Sequence, residues 1–594
     1  MSDERVHNQL TATQTRHLQR CLAAVDFDDD LNLVRGQGRG HERGMQQRSI
    51  AYHHQAPGTA RFIMLQAMVG HDTQRVYRAL QALTALIDDD PQNETHGCVR
   101  WYYENDRCED TNAAFFTGFP LVCAWIARNE WHDGEIGEAF RDYFSKAVKW
   151  FLHTARHPSF FYPNKCYGDC ALLYSFGHVL DDSKLTEEGL DFCRRWFDYL
   201  RRRGCGWGED HSIAYANVLI RMSLLLLVIG CPDGLRKQVT EFLDDIMDFV
   251  GFHNGYVPIP AIRGKHSGEV FHEFTPWFDL DSTKLTGKSA AAFVLVPRCG
   301  YSPPPPRMDV PRERIHRTFD DEYSVAWVER HARLGTLSRW PLMPNMYHHA
   351  EWGVGRQATP AAFIAADRNS GYLQWKAVDD RGTTRCHPAT GCSGVNRFES
   401  CPLTRPLTFL PEVIQIAHQK QGAAIVVREI HRLHAPLQDL SDLWRIPKFS
   451  GDLFIDGIRW EQKPLQCRPE WCVLDYGNVT VAIKPLRTRG VADPEPRETI
   501  LDIALDGDGI VLKNTLYDGP ADEVCEPLLY TGWCVLLMQD RDGVDEWDVQ
   551  EEFKDDGEIP RTYQEYVRSI ALQGPDTSLI LHRDPLNESA TVRA

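Results

Sequence analysis

Much of the familiar signal is missing from this 594-residue chain, and each absence narrows its chemistry. No run of Lys and Arg is long enough to track a phosphate backbone, and the formal net charge is −18, so nucleic-acid binding is not expected. The N-terminus, Met1-Ser2-Asp3-Glu4-Arg5-Val6-His7, lacks the apolar stretch that directs secretion, which makes a cytoplasmic location the expectation. The longest apolar stretch, Leu224 to Ile229, is too short to span a bilayer, so no membrane association is expected. The 17 cysteines form no CxxC pairs and no zinc-ligand rhythm, and read as buried or free thiols in a reducing compartment. GxGxxG after a strand, GxxxxGK followed by Ser or Thr, HExxH and GxSxG are all absent, and no cofactor or metal is expected.

The composition is that of a globular protein, with 43% apolar and 25% charged residues, and the length calls for at least two large units. The apolar period changes near residue 300. Before it, helical spacing recurs over about 46–68, 73–87, 110–128, 136–155, 165–180, 185–203, 210–230 and 233–251. Helix pairs without strand-like alternation fit either an α-solenoid or hairpins closed into an (α/α) toroid, and the lack of a fixed-period repeat favours the toroid. The run Ser302-Pro303-Pro304-Pro305-Pro306-Arg307 is a stiff extended connector. Beyond it, segments such as Glu322–Arg330, Ala361–Ala366, Ala423–His431, Cys472–Asp475 and Trp533–Met538 alternate or run β-branched between turn signals, with one late helix expected at about 561–571. The expectation is an α+β multidomain chain: a helical (α/α) toroid over 1–300, a Pro-rich linker over 301–312 and an antiparallel β-sandwich over 313–594.

Four regions carry groups suited to chemistry. In Arg100–Pro120, the aromatic residues Trp101, Tyr102 and Tyr103 stand beside carboxylates, and Asn112 opens a helix. Such aromatic faces flanked by polar groups suit a sugar, although the same residues also read as an Asp110-Thr111 cap over core aromatics. In Gly206–Ile220, a two-glycine loop with Trp207 delivers Glu209 and Asp210 to a helix start, and helical geometry puts His211 and Tyr215 on one face, where they could share a proton. The plainer reading makes His211 a cap and Tyr215 core. In Pro258–Glu269, Arg263, Lys265 and His266 form a basic loop able to hold a carboxylate or sulfate, or simply a solvated connection. In Pro344–Gln357, Tyr347, His348, His349 and Glu351 are denser than a strand requires. Adjacent histidines on an extended chain point to opposite faces, which disfavours a shared metal. The clusters Asp26–Asp30 and Asp88–Asp90 read as solvated turns.

The segment Asp210-His211-Ser212-Ile213-Ala214-Tyr215-Ala216-Asn217-Val218-Leu219-Ile220 resembles the part of hyaluronate and chondroitin lyases that carries a catalytic His and Tyr. Asn112, followed by Thr117-Gly118-Phe119-Pro120, resembles their uronate-neutralising asparagine, and Arg263 stands where those enzymes supply an assisting arginine. With the helical half followed by a β half, the chain is similar to the toroid-plus-sandwich polysaccharide lyases, the group of hyaluronate, chondroitin, alginate and heparinase-type enzymes. That resemblance implies β-elimination on an anionic poly- or oligosaccharide, with the C5 proton removed and the 4-O bond broken. It gives His211, Tyr215, Asn112 and Arg263 as catalytic residues. Trp101, Tyr102, Trp207, Glu209, His266, Tyr347, His349 and Glu351 are the expected substrate contacts. Tyr215 or His211 would be the base, and Asn112 and Arg263 would stabilise the developing charge.

Three other readings stay open. An inverting hydrolase would use two carboxylates, such as Asp110 and Glu209, about 6.5–9.5 Å apart. A C5 epimerase would return the same proton from the opposite face, and a binding protein would do neither.

Overall fold

Helices in the first part of the chain alternate between two burial patterns, and this alternation builds the architecture. A computed structural model describes residues 10–206, 208–254, 256–261, 273–282, 285, 289–340, 360–366, 369–379, 412–432, 437–490, 496–519, 529–554, 567–584 and 589–593. These fall into two units, one holding the described residues up to 254 and 273–306, the other holding 256–261 and those from 307 onward.

The first unit begins with α1 (Ala12–Ala23), then the strands β1 (Phe27–Asp28) and β2 (Leu33–Gln37), the short α2 (Arg43–Gln46) and β3 (Tyr52–Gln55). The three strands form one antiparallel sheet. Eight long helices follow: α3 (Ala56–Val69), α4 (Thr73–Thr84), α5 (Ala113–Ala127), α6 (Gly134–Arg156), α7 (Pro163–Val179), α8 (Ser183–Arg203), α9 (Ile213–Ile229) and α10 (Asp233–His253). The odd-numbered members α3, α5, α7 and α9 are apolar almost all round and buried along most of their length, whereas α4, α6, α8 and α10 bury one face. A helix apolar on every side must be enclosed, while an amphipathic one can face water, so the pattern makes two layers. The packing agrees: α3 meets α5, α5 meets α7 and α7 meets α9 in an inner row, and each is backed by an outer helix. This is the double-layered helical arrangement expected from the sequence.

The tightest pair, α7 with α8, depends on reciprocal glycines. A Cβ on Gly189 would lie 2.4 Å from the Tyr174 backbone nitrogen, and one on Gly177 equally close to that of Thr186. Beside this crossing, Tyr167 and Trp196 stack with ring centres 4.2 Å apart. The expected helix over 46–68 starts only at Ala56, because 52–55 pair with β2 instead.

The second unit is built from antiparallel sheets. Among the described residues an eight-stranded and a nine-stranded sheet pack face to face, and a four-stranded sheet covers the outer face of the eight-stranded one. Strand periodicity explains the third layer. On strand Ala423–Arg432, Ala424 and Val426 point into the core between the two large sheets, while Ala423, Ile425 and Val427 point to the core under the small one. Strand Leu529–Met538 does the same with Trp533, Val535 and Leu537 against Cys534 and Leu536, which is why it reads as a continuous apolar run.

The late helix expected at 561–571 is not formed over its described part. Val567–Gln573 is a strand between Asp548–Lys554 and Ser578–Asp584, with Ile570 and Leu572 turned to the core; 561–566 lie outside the described residues. Segment 256–261, expected in the helical half, belongs to the β unit. The Arg333 guanidinium lies 3.6 Å from the Tyr256 ring centre, and a Cβ on Gly335 would come 2.5 Å from the Ile259 carbonyl carbon. Among the described residues no helix is long and apolar enough to cross a membrane.

Candidate active site

Successive inner helices start beside one another. Gln55, before α3, forms a β-bridge with Tyr102 in the loop that leads to α5. Asn112, at the start of α5, donates Nδ2–H to the Tyr162 hydroxyl (3.3 Å) just ahead of α7. Asn164, in the first turn of α7, donates its backbone and side-chain N–H groups to Glu209 ahead of α9, at 2.6–2.7 Å. Side chains cap only two of the eight long helices, Asp72 on α4 and Asp182 on α8; the residues preceding α3, α5, α7 and α9 make no such cap, and neither do those preceding α6 and α10. The N-terminal ends of the inner helices gather at one end of the layer, where carboxylates already accept from two of them, Asp110 from the Asn112 N–H and Glu209 from the Asn164 N–H.

The loop ahead of α5 is woven into this corner. Ala56 and Tyr103 donate their backbone N–H groups to Trp101 and His54, and the His54 ring is held between Glu104 (2.6 Å) and Asp28 (3.2 Å). His41 occupies the centre. Its backbone N–H donates to the Tyr102 hydroxyl (3.2 Å), its Nδ1 is 2.7 Å from that same oxygen, and its Nε2 is 3.0 Å from Asp110 Oδ2. The consistent tautomer has Nε2–H donating to Asp110 and Nδ1 accepting the phenolic proton. Asp110 Oδ1 accepts the Asn112 backbone N–H (3.0 Å), fixing the turn that presents the Asn112 side chain.

Behind them Glu42 accepts the Asp110 backbone N–H (2.9 Å) and the Asn105 amide (2.6 Å). Burial pushes its carboxyl up to about 7, against the pull of those two hydrogen bonds. Burial likewise raises the Tyr102 phenol. Lys165, in the first turn of α7, pairs with the buried Asp169 at 2.8 Å. Burial works against its charge, but the Asp169 carboxylate outweighs that and raises Lys165, holding it as an ammonium that also interacts electrostatically with Tyr162.

The sequence-expected residues fare differently. Asn112 is half-buried in this corner, and its Oδ1 is buried with no hydrogen-bond partner among the described residues. Trp101 is half-buried and meets His41 edge-on at 4.5 Å. Tyr102 is only 3% exposed and its hydroxyl is held by His41. Glu209 is fully buried at 0% exposure with both oxygens bonded to Asn164, an anchor between loops rather than a substrate contact.

His211 and Tyr215 do not share a helical face. His211 ends a 3-10 turn (Glu209–His211), Ser212 is extended (φ −107°, ψ 125°), and α9 starts only at Ile213. His211 is fully buried with its ring 4.7 Å from that of Phe249, whereas Tyr215 is half-buried. Trp207, Arg263, His266, Tyr347, His349 and Glu351 lie outside the described residues. The sequence reading missed His41, Glu42 and Tyr162. The cues were a glycine-spaced stretch, Gly36 to Gly44, and an aromatic immediately before Pro163.

No protein-family model matches the chain, and no curated protein matches it. Among solved structures it is similar to heparinase III, at 9% identity and a TM-score of 0.47, over 98% of this chain and 93% of that one. It is also similar to a Paenibacillus xanthan lyase, at 9% identity and 0.49, and here 98% of the chain matches only 65% of the longer lyase. A third likeness is to the chondroitin AC lyase of Streptomyces coelicolor A3 in complex with chondroitin sulphate, at 10% identity and 0.49, over 96% and 84% of the two chains.

Proposed function

We propose that this protein is a lyase that cleaves a uronate-containing poly- or oligosaccharide by β-elimination. The observation that carries the reading is the Asn112–Tyr162 contact of 3.3 Å, which places a carboxamide donor and a phenol side by side at the start of α5, in the corner that also holds the His41–Asp110 pair.

β-Elimination needs three things at once. The uronate carboxylate, on which charge develops as the C5 proton leaves, needs hydrogen-bond donors. The Asn112 amide supplies one. A base must take the C5 proton and an acid must protonate the departing 4-O oxygen. The Tyr162 oxygen is assigned both steps in turn, taking the C5 proton and then returning it to the departing 4-O oxygen. The fragment that keeps C4 and C5 gains a double bond, the other gains the hydroxyl, and Tyr162 ends as it began. His41, held by Asp110 and Tyr102, positions the Asn112 turn, and Trp101 beside it offers an apolar face to a sugar ring. Arg263 keeps the role of assisting cation that chain order suggests. Tyr162 replaces Tyr215 and His211 as the assigned base, because it is Tyr162 whose hydroxyl meets Asn112.

The test is incubation with hyaluronan, heparan sulphate, chondroitin and alginate, following the ultraviolet absorbance of a new C4–C5 double bond. Tyr162→Phe is expected to abolish the signal while binding persists. Reducing ends without absorbance would establish hydrolysis instead, and solvent deuterium at C5 without cleavage would establish epimerisation.

A further inference from the structure

Two thiols meet directly beneath this corner. Cys98 and Cys108 bring their Sγ atoms within 2.9 Å, inside the contact distance of unbonded sulfurs, and both approach the Val99 carbonyl. Their backbones are fixed independently. Cys98 is tied down where its N–H donates to Thr95 and its carbonyl accepts from Asp88, next to the Ile87–Val99 bridge. Cys108 comes just before Asp110, whose backbone N–H is held by Glu42. The segment between them carries Trp101, Tyr102, Glu104 and Asn105, which contact His41, hold His54 and hold Glu42.

We propose that Cys98 and Cys108 form a reversible disulfide that staples this loop. The partner is a low-molecular-weight disulfide such as oxidised glutathione. Cys108, 8% exposed against 0% for Cys98, attacks first as its thiolate. It bonds to one glutathione sulfur and expels the other glutathione, which takes the proton. Cys98 then loses its proton and attacks the Cys108 sulfur of the mixed disulfide, expelling the second glutathione. Two protein thiols are oxidised by two electrons and one glutathione disulfide becomes two thiols, so the exchange balances. Burial raises the Cys98 thiol and disfavours its thiolate, a handicap that the high local concentration of its target offsets in the second, intramolecular step. A crosslink across so short a loop leaves the fold in place and limits the excursions of the residues that hold His41. The crosslink stands without the lyase reading, whereas any effect on turnover rests on it.

The experiment uses the full chain, equilibrated over a series of reduced-to-oxidised glutathione ratios, alkylated after denaturation and mapped by mass spectrometry. The expected result is a peptide pair joined through Cys98 and Cys108, reversed by dithiothreitol and lost in Cys98→Ser and in Cys108→Ser. The oxidised wild type should melt higher by on the order of 5 °C. Full alkylation of both cysteines under ratios that fully glutathionylate the half-buried Cys21 would overturn the proposal. Since mapping is done on the wild type, a variant that fails to fold leaves the outcome readable. A crosslink without any elimination activity would count against the lyase alone.

Discussion

Set side by side, the His41–Asp110 pair of the helical unit and the Arg428–Asp442 pair of the β unit each hold a carboxylate on a nitrogen donor, under opposite conditions. His41 and Asp110 meet at 3.0 Å with about a third of each side chain open to water, 30% and 29%. Arg428 and Asp442 meet at 2.6 Å, sealed at 2% and 1%. The second pair links the two large sheets, since Arg428 sits on an eight-sheet strand and Asp442 on a nine-sheet one. Around it Asn514 donates to Thr488 (2.8 Å) and Thr531 (2.9 Å). A charge shut away from water in this way fixes which strand faces which, and it is costly to disturb. A carboxylate left about a third open to water costs less to keep and remains available to a ligand. The difference separates a network closed to any ligand from one that stays open to it.

The largest effect should follow from breaking the sealed pair. Arg428→Met leaves Asp442 buried without its cation and should lose about 3–5 kcal/mol of stability in urea unfolding, while the double change Arg428→Met with Asp442→Leu recovers most of it. An unchanged urea midpoint in the single variant would erase the contrast.

Next comes the open network. Asn112→Ala should lower kcat by about 10²–10³ fold with little change in the unfolding midpoint, as for the loss of one donor to a developing anion. Steady-state kinetics beside thermal melts checks this. A loss of stability as large as that for Arg428→Met would put Asn112 in the structural class.

The finest distinction concerns Glu42, raised from 4.5 to about 7 by burial. Because the folded value lies above the unfolded one, the folded state binds the extra proton between these pH values. The stability from this group is complete below about pH 4.5 and is lost as pH rises to about 7, by on the order of 3 kcal/mol in all. Glu42→Gln should flatten that part of a stability-versus-pH curve; an unaltered slope would show that another group carries it.

Much of the architecture could be read from residue order. The inner helices α5, α7 and α9 and the strands Cys472–Asp475 and Leu529–Met538 follow from apolar periodicity, because enclosure on one or both faces leaves its period in the chain. Asn112 was legible for a local reason, as it stands where a polar loop becomes an apolar helix. The late helix misled because Tyr563, Tyr566 and Ile570 fall at helical spacing, whereas pairing with two neighbouring strands decides the state of Val567–Gln573. His211 and Tyr215 misled because one extended residue, Ser212, resets the helical phase between them.

What no local pattern contains is a meeting between distant loops. His41 reaches Asp110 across 69 positions, and Asn112 reaches Tyr162 across 50. Periodicity records which side of a helix is buried and says nothing of which loops share an end. That is decided when the inner helices pack side by side, each returned to the same end by its outer partner. By itself, then, the sequence determined a helical half, a β half and the residue at the start of α5; only the packing of the inner row decided that His41, Asp110, Asn112 and Tyr162 meet at one end of it.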